Sequence, residues 1–537
     1  MSTLTVQNTT SAEQRESFRR FVAICLAMAA IKLAIQIVGN ILAQRAGYGI
    51  FRDEMYYLIC GRHLAFGYVD QPPMVALQAR LSEILFGYDH MWSLRLLSGM
   101  AGAFKVFLTG ALVWAMGGSR RAAALAMLGV IAAGVYLGSD SFLSMNSFEP
   151  IFWMPCALAL IRIAQAETLP NPERVVRNWW IVLGVSAGLG LENKDNEVFF
   201  LVAMLIAVLL SPQRRILASR WFGVAIAIIV ALALPNLLWQ IHNHWPTLEW
   251  LVGISKSDKD VKLPPLQFLL AQLMTLTPWT VVLWLGGVIW LLVSKTARPF
   301  RFLGVLYLVY LPMMMLMHAK DYYLVPVYPI YFAAGGMRLL PATSKSVTRD
   351  ILVSIYALLL IVGFFLTIPF SIPVLPPQKF VAWSKTMHFQ PRDSENHDAT
   401  ILPQFYADRF GWHEMVEKVA AIYNALPPDE RAITGIYAEN YGEASAINLF
   451  GPKYGLPVAI SGHQTYWLWG PHGYTGQETI IINGASLAEM NKYYASCVVA
   501  GQLDNPLSMP WEKKPIYLCR GRNATFAADW KDFKHYY

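Results

Sequence analysis

Apolar runs long enough to cross a bilayer recur through the first two-thirds of this 537-residue chain. Lipid offers the backbone no hydrogen-bond partner, so runs of about twenty apolar residues cross as helices. The chain therefore reads as an α-helical polytopic membrane protein. Composition agrees, with 55% hydrophobic and 15% charged residues, 18 Trp and a mean hydropathy of +0.39. A soluble protein carries about a quarter charged residues. The polar stretch Met1–Arg20 leads into a first span too long for a signal peptide, which predicts an uncleaved anchor. The net charge of +8 sits in short loops between spans and is no nucleic-acid signature.

Eleven spans are predicted, at approximately 21–43, 92–116, 122–138, 148–165, 178–191, 197–210, 221–240, 267–293, 302–317, 322–338 and 350–370. Charge tests the arrangement. With the N-terminus inside, the inner loops hold 17 Lys and Arg in 71 residues, among them Arg120, Arg121, Arg214, Arg215 and Arg298. The outer loops 44–92, 139–147, 192–197, 241–265 and 318–321 hold 9 in 93, as the positive-inside rule requires. Acids carry separate information, because they do not set topology. Of the 19 before residue 372, 14 fall outside or at outer span ends, which puts the acidic chemistry on the outer face.

An odd number of spans places residues 372–537 outside as well, after a transmembrane domain of residues 1–371. The tail opens with Pro373, Pro376 and Pro377 and then alternates strand-like and helical runs. Ala432–Tyr437, Glu478–Asn483, Ser496–Ala500 and Pro515–Cys519 read as strands, Trp412–Tyr423 and Ser486–Tyr494 as helices. This predicts a small α/β domain on the extracytoplasmic surface. Cys497 and Cys519 each lie in a strand-like run and could pair in an oxidising compartment; two buried free thiols are the other reading. Cys25, Cys60 and Cys156 lack metal-ligand spacing. No P-loop, dinucleotide fingerprint or internal repeat is present.

Several polar clusters share the outer face. Loop 44–92 contains Arg52-Asp53-Glu54 within an aromatic stretch that includes Tyr57, and a second motif, Tyr68-Val-Asp-Gln71-Pro-Pro73. Residues 54–65 have helical composition and enough aromatics to lie along the interface. The plainer reading, acids that merely face water, suits Glu54 better than Asp53. Arg52 and the aromatics partly shield Asp53, the environment that tunes a general base. Asn146 and Glu149 begin the fourth predicted span, and N-capping is the plainer role for Asn146. The hairpin 192–197 carries Lys194, a ready phosphate ligand at a membrane mouth. His242, His318, Lys320, Tyr322 and Tyr323 complete the set. Lone histidines are more often structural, Lys320 could simply snorkel, and the tyrosines suit an interfacial belt. Together the clusters predict one polar ring around a single outer cavity.

Arg52-Asp-Glu-x-Tyr-Tyr57, Tyr68-Val-Asp-Gln-Pro-Pro-Met74 and Lys320-Asp-Tyr-Tyr-Leu-Val-Pro-Val-Tyr-Pro329 resemble motifs of the family-39-type glycosyltransferases of the C superfamily. That family includes bacterial relatives of protein O-mannosyltransferases, the lipid A aminoarabinose transferase and the galacturonic acid transferases of rhizobial lipopolysaccharide. The resemblance runs through most of residues 20–340. It implies a GT-C fold in the bacterial inner membrane. It also implies transfer of a sugar from a polyprenyl-phosphate donor to a lipid, glycan or protein acceptor at the outer face. Asp53 falls on the family's first-loop catalytic aspartate, Glu149 approximately on a second acidic position, and Tyr323 on a tyrosine that contacts the carrier phosphate. Glu54 stands beside them as a secondary catalytic carboxylate. Where the aminoarabinose enzymes place a phosphate-binding lysine before the Pro-Pro pair, this chain has Gln71, so Lys194, Lys320 or a histidine has to supply that charge.

The chemistry fits without a nucleotide. A lipid-phosphate sugar is already activated, so transfer needs a base for the acceptor hydroxyl and groups that hold the departing phosphate. A divalent metal ion between Asp53 and the phosphate is compatible with this set but not required by it. Two other classes share the span pattern. A secondary transporter should show repeat symmetry and midplane polar residues, and Lys32 and Lys105 are the only evident mid-span charges. A lipid-carrier binding protein with a degenerate site is the other, because of Gln71.

Overall fold

The computed structural model describes residues 11–166, 169–257, 262–341, 346–388 and 400–537. Met1–Thr10 of the polar leader, and Glu167 among the inner-loop acids, lie outside the described residues. Each of the eleven predicted spans falls on helix. Among the described residues six helices are long and apolar enough to cross a membrane: Arg15–Arg45, Leu96–Ala115, Met145–Ala166, Arg220–His242, Arg298–Leu316 and Val347–Ser371. Two bent pairs raise this to eight if each is one span. The predicted span 267–293 is one of these pairs, broken between Thr275 and Pro278 and bent by 89°. Pro278 has no N–H to continue a helix, and Thr277 is held at φ +69° before it. The other bent pair is Asn196–Leu209 with Pro212–Ala218, at 112°. Of the remaining predicted spans, 178–191 lies in the 21-residue helix Glu173–Asn193, and the others fall on shorter helices such as Arg120–Ala132 followed by Gly134–Ser139.

The mid-span charges are paired. Asp140 Oδ2 lies 3.0 Å from Lys32 Nζ and Oδ1 lies 2.7 Å from Lys105 Nζ, with all three side chains fully buried. Lys32 also donates to the Tyr136 carbonyl (2.7 Å). Ionic groups in an apolar bundle persist only when neutralised in this way.

The tail carries a five-stranded sheet of order β2-β1-β3-β5-β4, made of β1 (Thr434–Ala438), β2 (Ala459–Ile460), β3 (Glu478–Ile482), β4 (Tyr494–Gln502) and β5 (Pro515–Arg522). β1 pairs in parallel with β2 and β3, while β5 pairs antiparallel with β3 and β4. The four strands read from the sequence are present; the two-residue β2 is too short to carry a period. The predicted helix 486–494 shrinks to Leu487–Met490, and its last residue opens β4 instead. Cys497 and Cys519 face each other across β4 and β5 and are joined as a disulfide.

One hydrophobic core joins the tail to the first outer loop. Ile50, Met55, Tyr56, Leu58, Ile59, Val75, Ala79 and Leu94 pack with Trp412, Val416, Ile436, Ile447, Ile480 and Leu518. Apolar area removed from water at such a seam contributes roughly 25 cal/mol per Å². The loop helix Arg52–Arg62 is thereby held between the membrane helices and the tail.

Candidate active site

Two adjacent carboxylates of the loop helix have opposite fates. Its third residue, Glu54, reaches back to the N–H of Phe51 (2.9 Å), closing the first turn where acids meet the positive end of the helix dipole. Arg95 donates to both Glu54 oxygens (2.8 and 2.7 Å), and the Leu143 N–H donates as well (2.7 Å). Glu54 and Arg95 are fully buried. Burial works to raise the Glu54 carboxyl, but Arg95, with Arg409 and the Leu143 N–H, outweighs it and holds the group below its ordinary value. The expectation of Glu54 as a secondary catalytic carboxylate is therefore corrected. Both of its oxygens tie the loop to two membrane segments, leaving neither for a substrate.

Asp53, one residue earlier, points the other way and is 29% exposed. Its Oδ1 accepts from the Tyr441 hydroxyl at 2.7 Å and lies 3.6 Å from Arg52 Nε. Arg52 also approaches Asp408 (3.8 Å) and lies over the rings of Tyr441 and Trp511. Beside Asp53 stands Asp70, partly buried, whose Oδ1 is 2.8 Å from the Tyr56 hydroxyl. That hydroxyl is also 2.7 Å from Thr465 Oγ1, which in turn takes the Val69 N–H (3.1 Å). Burial, reinforced by Asp53 and Asp195, pushes the Asp70 carboxyl up to about 7. A carboxyl poised there can give or take a proton near neutral pH.

A second cluster gathers at the outer end of helix Met145–Ala166. Glu149 is buried, 3.2 Å from Lys194 Nζ, and accepts from Asn196 Nδ2 (2.7 Å). Lys194 donates to Asn146 Oδ1 (2.8 Å) and sits over the rings of Tyr323 (4.6 Å) and Tyr322 (5.2 Å). The Tyr323 carbonyl accepts from Asn196 (3.0 Å) and from the Tyr310 hydroxyl (3.1 Å). Asn146 is not the cap of its helix. Ser144 Oγ takes the Asn146 N–H (3.2 Å), freeing the Asn146 amide oxygen for Lys194.

Tyr57 links the clusters. Burial pushes its hydroxyl well above the ordinary value, and Asp53, Asp70, Tyr441 and Tyr322 push it further in the same direction. The side chain thus lies within electrostatic reach of both groups.

Residues 70–239 match the family described as dolichyl-phosphate-mannose-protein mannosyltransferase. The lipid A galacturonosyltransferase RgtD of Rhizobium johnstonii is 28% identical over 199 residues, 36% of this chain. The match spans 39% of that relative's length. Among solved structures, ArnT from Cupriavidus metallidurans in its apo state superposes with a TM-score of 0.57 at 14% identity, covering 92% of this chain and 97% of that one. The archaeal oligosaccharyltransferase AglB from Archaeoglobus fulgidus superposes with a TM-score of 0.51 at 12% identity, covering 79% of this chain and 63% of that one. The fold is GT-C. The family resemblance read from the sequence is borne out by the family match, which takes in most of the second motif but neither the first nor the third, and by these folds.

Within the GT-C fold the other predicted site residues divide. Asp53, Arg52, Tyr57, Asn146, Glu149, Lys194, Tyr322 and Tyr323 belong to the two clusters. Lys320 precedes the short 3-10 turn Asp321–Val327 and acts electrostatically on Tyr323. Gln71 does not stand in for the missing lysine. It is buried, its amide lies 3.7 Å from Cys60 Sγ, and it packs inward beneath the Tyr68–Pro73 turn. His242, in the last turn of its helix, and His318, at φ +51°, are exposed and contact neither cluster. Among the described residues no group of three or more His, Cys, Asp and Glu side chains could hold a metal ion.

Asp70, Tyr56, Tyr441 and Thr465 were not picked out from the sequence. Asp70 lies inside the Tyr68–Pro73 motif, and that position beside Gln71 was the available signal. Nothing local in Tyr441 or Thr465 announces that the tail folds back onto residue 53.

Proposed function

We propose that this chain is a membrane glycosyltransferase that moves a sugar from a polyprenyl-phosphate donor to a lipid, glycan or protein acceptor at the outer face of a bacterial inner membrane. The observation that carries this reading is the Lys194 ammonium set over the rings of Tyr322 and Tyr323, while the partly exposed Asp53 lies on the loop helix with Tyr57, within electrostatic reach of Tyr322. One side offers carboxylates for an acceptor hydroxyl, the other a cation and phenols for a phosphate. A transferase for an activated lipid-phosphate sugar needs both functions.

In this reading Asp53 is the general base, contributing typically 10²–10⁴-fold. Lys194, with Lys320, Tyr322 and Tyr323, holds the carrier phosphate as charge builds on it. Glu149 keeps Lys194 in place until phosphate arrives, and Arg52 steadies Asp53. The tail domain, residues 372–537, lies on the extracytoplasmic side with the site. Reporter fusions after Gly118, Arg177, Arg301 and Arg349 should then read inside and a fusion after Tyr537 outside. A C-terminal fusion that reads inside overturns this placement.

The deciding experiment presents purified protein with undecaprenyl-phosphate-linked galacturonic acid, aminoarabinose and mannose and measures released undecaprenyl phosphate. Release that depends on Asp53 is expected. Binding of the carrier without release from any of the three would favour a lipid-carrier binding protein instead.

A further inference from the structure

Tyr441 opens the helix Tyr441–Phe450 of the tail, and its hydroxyl donates to Asp53 Oδ1 at 2.7 Å. Arg52 Nε approaches the same oxygen (3.6 Å). Both partners share Oδ1, and among the described residues no hydrogen bond reaches Oδ2, the oxygen placed for an incoming hydroxyl. The phenol itself is firmly placed. Its ring packs against Tyr56 (4.8 Å) and His463 (5.1 Å), and the Arg52 guanidinium covers it at 5.4 Å. Its helix is capped by Asn440, whose Oδ1 accepts from Gly442 (2.8 Å) and Glu443 (3.1 Å). Buried Glu443 anchors the turn through the N–H groups of Glu439 and Asn440 and the Asn483 amide. Catalytic carboxylates work best when their supports are locked in this manner.

We propose that Tyr441 is a positioning residue for sugar transfer, fixing Asp53 through Oδ1 so that Oδ2 takes the acceptor's proton. The proposal rests on Asp53 being the base. In the step, the acceptor O–H proton moves to Oδ2 while the acceptor oxygen bonds to the anomeric carbon. The bond from that carbon to the carrier phosphate oxygen breaks, and its electron pair leaves with the phosphate. Tyr441 keeps its proton throughout. The groups facing Asp53 are Arg52 and Tyr57 on its own helix, Asp70 on the following turn and Tyr441 on the tail.

The test is Tyr441→Phe, which keeps the ring and its packing. With whichever of the three lipid-linked sugars is turned over, turnover should fall about tenfold with the donor KM unchanged, as loss of a hydrogen bond to a charged group predicts. In an Asp53→Asn background the same change should cause no further loss. Infrared spectra with isotope-labelled aspartate give a readout independent of turnover: the carboxylate band lost in Asp53→Asn should shift in Tyr441→Phe. A raised donor KM, an additive double variant or an unshifted band each overturns the proposal. Near-native turnover in Asp53→Asn would instead sink the base assignment itself, whereas an inactive Asp53→Asn beside wild-type turnover in Tyr441→Phe removes Tyr441 alone.

Discussion

The Asp53–Asp70 side of the site and the Glu149–Lys194 side are assembled by different means. Asp53 and Asp70 come from one loop, but the hydroxyl on Asp53 belongs to Tyr441, 388 positions away, and the Tyr56 hydroxyl on Asp70 also meets that of Thr465, 409 positions from Tyr56. Glu149, Lys194 and Asn196 come from consecutive membrane helices and meet by ordinary hairpin packing. The first side is partly exposed and has one nearby cation, Arg52, shared among several acids. The second is buried, with a lysine set directly on a carboxylate. The contrast teaches that the half suited to proton transfer depends on docking of the tail, while the half suited to phosphate depends on the bundle.

The strongest way to break this division is Asp53→Asn. Turnover should fall 10²–10⁴-fold with carrier binding intact. If Asp53→Asn stays active while Glu149→Gln is dead, the proton-transfer half lies in the bundle and the assignment reverses. Glu54→Gln should act on folding rather than chemistry, because it leaves the buried Arg95 charge without its partner. Breaking such a pair costs about 3–5 kcal/mol, read as a lower melting temperature and expression yield, with turnover per folded molecule largely kept.

On the other side, Lys194→Ala should weaken undecaprenyl phosphate binding about tenfold or more, the loss expected for one charge-assisted contact. Glu149→Gln frees Lys194 and should leave phosphate binding equal or tighter. Unchanged binding in Lys194→Ala, with the protein folded, returns Lys194 to a structural ion pair.

The smallest effect concerns Asp70, whose carboxyl moves from 3.8 to about 7 on folding. Its folded value lies above its unfolded one, so between them the native state holds the extra proton. The associated stability is full below about pH 4 and is lost as pH rises through about 7. The melting-temperature difference between Asp70→Asn and the native protein should therefore grow in favour of the variant from pH 4 to pH 7. A constant difference across that window would show that Asp70 is not shifted by burial.

Much of the architecture was legible in the residues, because the rules involved are local. Helices follow from apolar length, and β1, β3, β4 and β5 from β-branched runs bounded by turns. Asp53 and Lys194 stood out as candidates because an ionic group at a membrane mouth is conspicuous. Glu54 was misread for the same reason. In sequence it is indistinguishable from its neighbour, and only the helix phase turns it 100° or so inward towards Arg95.

By itself, then, the sequence determined the class of fold, the topology it favours and the candidate acids and lysine, since each depends on residue type and short-range spacing. Tertiary structure alone decided which carboxylate is buried in an ion pair and which keeps an open oxygen. It also decided that Gln71 turns inward and that Tyr441 and Thr465 belong to the site. Those outcomes depend on contacts between segments hundreds of residues apart, brought together by the hydrophobic core that the first loop shares with the tail. No local period encodes such a pairing; complementary apolar surfaces select it only once both parts have folded.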